Sequence, residues 1–340
     1  MLTWKDKINI LRKISLYRLY NVIILRLSYF LSKSTKKNVH RGLPFALSIE
    51  PTTACNLGCP ECPSGLKKFT RATGKLDVEL HKKMLLELKK SVFYINYYFQ
   101  GEPFLHPQFL DLIREAKKNN IYTATSTNAH FIDEKKAEDI IESGLDRLII
   151  SIDGLTQKTY ENYRVNGKLE KVIEGTKYMV EAKKKLKSST PHLIFQFLAV
   201  KPNEHEVPEV FKLGEQLGVD EVRIKTAQFY DYKNGNALMP ENIEYSRYKK
   251  GKNGEYTLKH KTGNKCWRMW SSCVLTWDGK IVPCCFDKDA QHQLGDISSE
   301  SFSKTWKNES YSEFRQSILS HRDQIEICKY CSEGAKVWAN

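Results

Sequence analysis

Between residue 46 and about residue 225 the chain alternates short β-rich runs with segments of helical periodicity. This alternation restricts the fold more than any other feature. The β-rich runs are 46–50, 93–100, 122–127, 147–153, 192–200 and 221–225. Helical patterns lie between them at 78–90, 107–119, 133–143, 169–187 and 206–217. Leu148-Ile149-Ile150 is a continuous apolar run, as a parallel strand covered on both faces requires. Strands joined by crossover helices read as a parallel α/β unit. Six strands are fewer than a closed TIM barrel needs, so an open, partial (β/α)6 barrel is the preferred form. A doubly wound open sheet is the alternative, although no Gly-x-Gly-x-x-Gly follows the first strand.

Outside this stretch the pattern changes. Residues 229–264 are rich in Lys, Asn, Gly and Tyr with no sustained apolar period, and read as a linker or irregular excursion. Further on, residues 274–277, the pair Asp278-Gly279 and residues 280–283 predict a β-hairpin with a tight turn. A helix near 302–319 follows. So small a cysteine-rich piece is expected to depend on a metal centre for stability. The expected organisation is a basic, apolar helical extension (1–41), the barrel (42–228), a linker (229–264) and a small cysteine-rich hairpin and helix domain (265–340).

Hydrophobic residues form 41% of the 340, enough for a sizeable core. The net charge of +14 is concentrated at one end: residues 1–41 hold ten basic side chains and one acid, Asp6, leaving only +5 for the other 299. A nucleic-acid enzyme places its excess charge on the folded body, so RNA modification is disfavoured. The uncharged run 19–25 spans seven residues, against roughly 20 for a membrane span. No transmembrane helix or signal peptide is expected. A basic, apolar helix at 1–37 predicts either peripheral contact with an anionic membrane face or packing on the barrel exterior.

Nine cysteines fall in two groups: Cys55, Cys59 and Cys62, then Cys266, Cys273, Cys284, Cys285, Cys328 and Cys331, with none in the 203 residues between. An odd total, tight spacing and no export signal point to metal ligation in a reducing cytoplasm rather than disulfides. Three thiolates on the loop after the first strand can hold three corners of a [4Fe–4S] cubane and leave one iron open. A three-ligand zinc site, or a cluster closed by a distant cysteine, are the alternatives. Cys266, Cys284, Cys328 and Cys331 offer four separated thiolates, enough to close a second cubane or a tetrahedral zinc. Cys285 adjoins Cys284 on a predicted strand and faces the opposite side; Cys285 and Cys273 are read as buried spares. Polar residues recur at successive strand ends, in Gln100-Gly101-Glu102-Pro103, Ser126-Thr127-Asn128 and Ser151-Ile152-Asp153-Gly154.

On these residues the chain resembles the radical SAM superfamily over roughly 45–225. The family's CxxxCxxC loop corresponds to Cys55, Cys59 and Cys62. Its GGEP segment, which binds the methionyl amino group of S-adenosylmethionine, resembles Gln100-Gly101-Glu102-Pro103, with Gln in place of the first glycine. Its ribose and carboxylate contacts resemble Ser126, Thr127, Asn128, Ser151 and Asp153. The family usually has an aromatic before the third cysteine; here it is Glu61, so another side chain must pack the adenine. The later cysteines resemble the SPASM domain, whose CxnGx4C hairpin is matched by Cys266, Gly279 and Cys284, and imply one auxiliary [4Fe–4S] cluster.

The resemblance implies an enzyme that reductively cleaves S-adenosylmethionine to a 5′-deoxyadenosyl radical, fed by a flavodoxin- or ferredoxin-type reductant. The expected reaction is hydrogen abstraction from a small sugar- or lipid-linked molecule, completed as an oxidation through the auxiliary cluster. A peptide- or protein-modifying maturase is the alternative, weakened by a leading segment too short for a winged-helix peptide-binding module. A non-enzymatic metal protein is the third class. Asp153 is read as a cofactor contact or a proton acceptor, against a plain turn residue before Gly154. Arg164 is read as a carboxylate partner or a solvated side chain. His81, His106, Trp267, Trp270 and Trp277 are read as structural.

Overall fold

The computed structural model of the protein describes residues 4–260, 263–329, 331–332 and 337–339. The strands among them are β1 (Ala46–Ile49), β2 (Tyr94–Asn96), β3 (Tyr122–Thr127), β4 (Arg147–Ser151), β5 (His192–Ala199), β6 (Glu221–Thr226), β7 (Tyr248–Lys250), β8 (Tyr256–Leu258), β9 (Ser272–Leu275), β10 (Lys280–Val282) and β11 (Gly295–Asp296). The chain divides into two compact units. One holds Met1–Ala54, Phe69–Thr125 and Gly263–Cys331; the other holds Cys55–Lys68, Ser126–Thr262 and Ser332–Asn340.

In the first unit β1, β2 and β3 run parallel, separated by helices Val78–Leu88 and Phe109–Lys118. The first of these helices starts where the Asp77 carboxylate accepts from the Leu80 amide, satisfying an amide the helix leaves unpaired. Its inner face buries Met84, Leu85 and Leu88. In the second unit β4, β5 and β6 are also parallel, with helices Glu134–Glu142, Leu169–Lys185 and Val207–Leu217. Every residue of β4 is buried, in line with its unbroken apolar run. Helix Val207–Leu217 has proline near its start and Gly218 at φ +81° after its end, the usual punctuation of a helix. All six strands and five helices of the expected alternation are present, in an α/β fold of parallel strands.

Three differences concern the flanks. The strand expected over 93–100 stops at Asn96, because the chain must turn at Gly101, whose φ is +74°. The helix expected over 302–319 is two, Phe302–Thr305 and Glu309–His321, because the Asn308 side chain accepts from Tyr311 N–H and starts a second helix. The excursion at 229–264 contains the antiparallel pair β7–β8, with Tyr232 stacked on Tyr248 at 4.5 Å. Strands of three residues are too short to leave a readable period.

The cysteine-rich hairpin does not stand alone. Strand β9 pairs in parallel with β1, in register from Ala46↔Ser272 to Ile49↔Leu275, and β10 and β11 extend the same ladder. Trp270, Val274, Ile281 and Trp306 are buried in the same unit as Leu47 and Ile49. The expectation of a piece held chiefly by metal is therefore corrected: its apolar side chains share a core with the first strand. Trp277 packs too: its Nε1 donates to Ala72 O and its ring covers Gly74.

Candidate active site

The first cysteine loop leaves the C-terminal end of β1. Just before it, buried Glu50 receives both ends of the Arg71 guanidinium at 2.6 and 2.8 Å. Ala54, the residue before Cys55, accepts from the Glu102 amide at 2.7 Å. A Cβ on Gly101 would stand 2.2 Å from Thr52 O and 2.8 Å from Ala54 O, so this close approach admits only glycine. Buried Glu102 also caps the short turn Pro103–Leu105, accepting from the Phe104 amide.

Within the second unit the loop is anchored at several points. Gly58 N–H donates to Val165 O at 2.9 Å, and Cys62 N–H to Cys59 O at 3.2 Å. Helix Pro63–Leu66 lies flush on the loop, since a Cβ on Gly65 would fall 2.6 Å from the Cys59 nitrogen. Asn56 Oδ1 accepts from Asn128 Nδ2 at 2.7 Å, tying the loop to the residues after β3. Thr127 Oγ1 and Asn128 Oδ1 accept from the amides of Ala129 and His130. Ser126 is half-buried, and Ser151 is buried at the end of β4. Glu61 accepts from Asn236 Nδ2 at 3.0 Å.

Arg164 links two acidic groups. Its Nε donates to Asp153 Oδ2 at 2.5 Å, and its Nη1 lies 3.7 Å from Cys59 Sγ. Burial pushes the Cys59 thiol up, and the Arg164 charge opposes that shift. The other Asp153 oxygen accepts from Leu198 N–H at 2.7 Å, and the residue is fully buried. Both carboxylate oxygens of Asp153 are thus engaged. The sequence reading left Arg164 undecided, because nothing in its neighbours marks a residue eleven positions after its partner.

The later cysteines differ in their surroundings. Burial first, then the neighbouring thiols of Cys285, Cys266 and Cys331, push Cys284 well above its ordinary value. Burial raises Cys328 to about 12; the Arg322 charge lowers it, while Cys331 and Cys266 raise it. Arg322 Nη2 lies 3.2 Å from Cys331 Sγ. Cys273 sits on β9 opposite Leu47, next to Tyr311 and Arg315. Strand β10 ends at Val282, so Cys284 and Cys285 lie on a loop and the strand-alternation argument does not separate them. Cys285 is instead 3.9 Å from Arg268 Nη1. His81 and His106 bond the Tyr97 hydroxyl and Leu76 O.

Both sites present cysteine side chains as their donors, the soft ligand set that iron–sulfur clusters take. Among the described residues no three Cys, His, Asp or Glu side chains are gathered closely enough to grip a single metal ion.

The sequence matches the radical SAM superfamily over residues 49–213. The chain is a radical SAM enzyme that uses S-adenosylmethionine and a [4Fe–4S] cluster. It also matches an iron–sulfur cluster-binding domain, SPASM, over 266–332, so it belongs among the radical SAM enzymes with an appended auxiliary-cluster domain. It is 26% identical over 314 residues to the tungsten-containing aldehyde ferredoxin oxidoreductase cofactor-modifying protein of Pyrococcus furiosus, covering 84% of this chain and 86% of that one. It is 26% identical to the PqqA peptide cyclase of Gluconobacter oxydans, covering 71% and 70%. In fold it is similar to Streptococcus suis SuiB bound to S-adenosylmethionine, with a TM-score of 0.63 at 16% identity over 91% of this chain and 76% of SuiB.

Proposed function

We propose that this enzyme modifies a peptide or protein, taking a hydrogen atom from one of its side chains. The observation that carries the reading is the likeness to a peptide cyclase across 71% of the chain. It displaces the sugar- or lipid-linked substrate preferred from sequence. A small-molecule target is kept as the second reading, because the Pyrococcus furiosus relative is named for modifying a cofactor.

Cys55, Cys59 and Cys62 would hold the first cluster, which with S-adenosylmethionine supplies a radical able to attack an unactivated C–H bond. The chain's own residues set the stage for it. Gly101 keeps a side chain out of the space beside Thr52 and Ala54. Glu102, Ser126, Thr127, Asn128 and Ser151 offer polar groups for the sulfonium ligand. Arg164 balances the charge of Cys59 and holds Asp153 in place, so we assign Asp153 a positioning role. Cys266, Cys284, Cys328 and Cys331 would hold one auxiliary cluster, with the cation of Arg322 beside it. The reaction we favour is a net two-electron oxidation of the substrate.

The test is anaerobic incubation of the reconstituted enzyme with reductant, S-adenosylmethionine and peptides encoded beside its gene. The expected result is 5′-deoxyadenosine carrying deuterium from a labelled peptide, with that peptide lighter by two hydrogens. Turnover that leaves every peptide unchanged but alters a small molecule overturns the substrate class. A mass-neutral peptide product overturns the oxidation.

A further inference from the structure

Helix Leu16–Thr35 is built inside out. Its buried seam is Arg18, Asn21, Leu25, Ser28 and Ser32, four polar side chains and one leucine. Each polar member has a partner. The Arg18 guanidinium donates to the carbonyls of Lys13, Asn120, Lys89 and Asn119 at 2.6, 2.6, 2.7 and 3.0 Å. Asn21 exchanges two bonds with the Leu43 backbone, and Ser32 bonds Val39. The seam is thus fixed by hydrogen bonds, and the helix cannot roll to bury its other side without leaving them unmade.

That other side is apolar and open. Leu16, Leu19, Tyr20, Ile23, Leu27 and Phe30 point away from the seam, with Leu16 88% and Phe30 65% exposed. Helix Trp4–Leu11 adds Trp4, Ile8 and Leu11, spaced to share one exposed face. Of the eighteen large hydrophobic side chains exposed among the described residues, eleven lie between residues 4 and 31. An ordinary surface helix turns its apolar stripe inward, and a contiguous exposed patch of this kind marks an interaction surface.

The charge around the patch identifies the occupant. Lys5, Lys7, Arg12, Arg26, Lys33, Lys36, Lys37 and Arg41 are all exposed. The one acid of the segment, Asp6, is buried against the Tyr122 hydroxyl. A second copy of the chain would set this uniformly positive rim against its own like, which is repulsive. An anionic bilayer satisfies both features, taking the apolar face into its acyl boundary and the cations against its headgroups. No helix among the described residues is long and apolar enough to cross a membrane, so the segment would lie in the plane. We propose that helices Trp4–Leu11 and Leu16–Thr35 dock this enzyme on an anionic phospholipid surface.

The experiment is flotation of the reconstituted full chain with vesicles of pure phosphatidylcholine or with added phosphatidylglycerol. Binding to the anionic vesicles is expected to be tighter by roughly tenfold or more and to weaken with salt. The double variant Leu27→Glu/Phe30→Glu should lose binding, and Lys33→Glu/Lys37→Glu should lose the preference for anionic lipid. Both pairs are exposed, so unchanged melting and unchanged 5′-deoxyadenosine yield confirm that each variant is folded. Failure of the wild type to bind anionic vesicles overturns the proposal. So does a dimer in sedimentation that Leu27→Glu/Phe30→Glu dissolves, since the patch would then be covered by a second chain.

Discussion

Arg164 holds two acidic groups at once, and both lose their counter-charge if it is removed. Asp153 is fully buried, and breaking one side of a buried, hydrogen-bonded pair costs about 3 kcal/mol or more. Arg164→Met is therefore expected to lower urea stability by about that amount, and Arg164→Lys by less, since one ammonium cannot reach both partners as a planar fork does. Equal loss in the two variants would show that charge geometry is irrelevant here. At Gly101 the constraint is steric. Gly101→Ala combines a positive φ with a clash on Thr52 O and should cost about 1–3 kcal/mol, with a matching loss of S-adenosylmethionine binding in equilibrium dialysis. The cysteines differ among themselves. Cys284→Ala should lower iron content by about half, a second cubane being lost, while Cys273→Ala, whose thiol sits against Tyr311 and Arg315, should retain it. The trio at 55, 59 and 62 could be read from sequence because its members share one loop. Arg164 could not, because it finds Asp153 only after the chain has folded.

Secondary structure divides along the same line between local and distant information. Residues 148–150 of β4 and the apolar faces of the helices carry their periodicity within themselves, so those elements were legible. The pairing of β9 with β1 joins residues more than two hundred positions apart, and no local pattern encodes it. For the same reason the sequence alone suggested a hairpin resting on its metal centre. The ladder with β1 and the burial of Val274 and Leu275 lead to a different expectation once iron is removed. Amides of β9 should stay protected from hydrogen exchange in the chelated, anaerobic protein, while the loop carrying Cys284 and Cys285 opens. Exchange of β9 as fast as that loop would return the hairpin to dependence on its cluster.

The stability of the whole molecule should follow pH through a few buried groups. Burial is the main cause that holds His81 at about 3, with the charges of His106 and Lys82 acting the same way; the ring is fully buried and bonds the Tyr97 hydroxyl at 2.8 Å. His40 is also held at about 3, chiefly by burial and then by Arg315. In the unfolded chain each would titrate near 6.5. Below that pH the unfolded state binds protons that the folded state refuses, so stability falls as the solution is acidified from about 6.5 toward 3. For His81 alone the loss between neutrality and pH 5 is about 2 kcal/mol. Glu221 acts lower. Burial raises it, but hydrogen bonds from His192 and Arg223 outweigh burial and bring it to about 2. Its contribution is complete above the ordinary carboxylate value and is lost as pH falls from about 4.5 toward 2. Urea titrations of the iron-free chain at a series of pH values should therefore show a slope that begins near 6.5. His81→Gln, which keeps a hydrogen-bonding group beside Tyr97 and cannot take up a proton, should flatten that slope by roughly the His81 share. An unchanged slope in the variant would mean that His81 is protonated in the folded protein and that its burial has been misjudged.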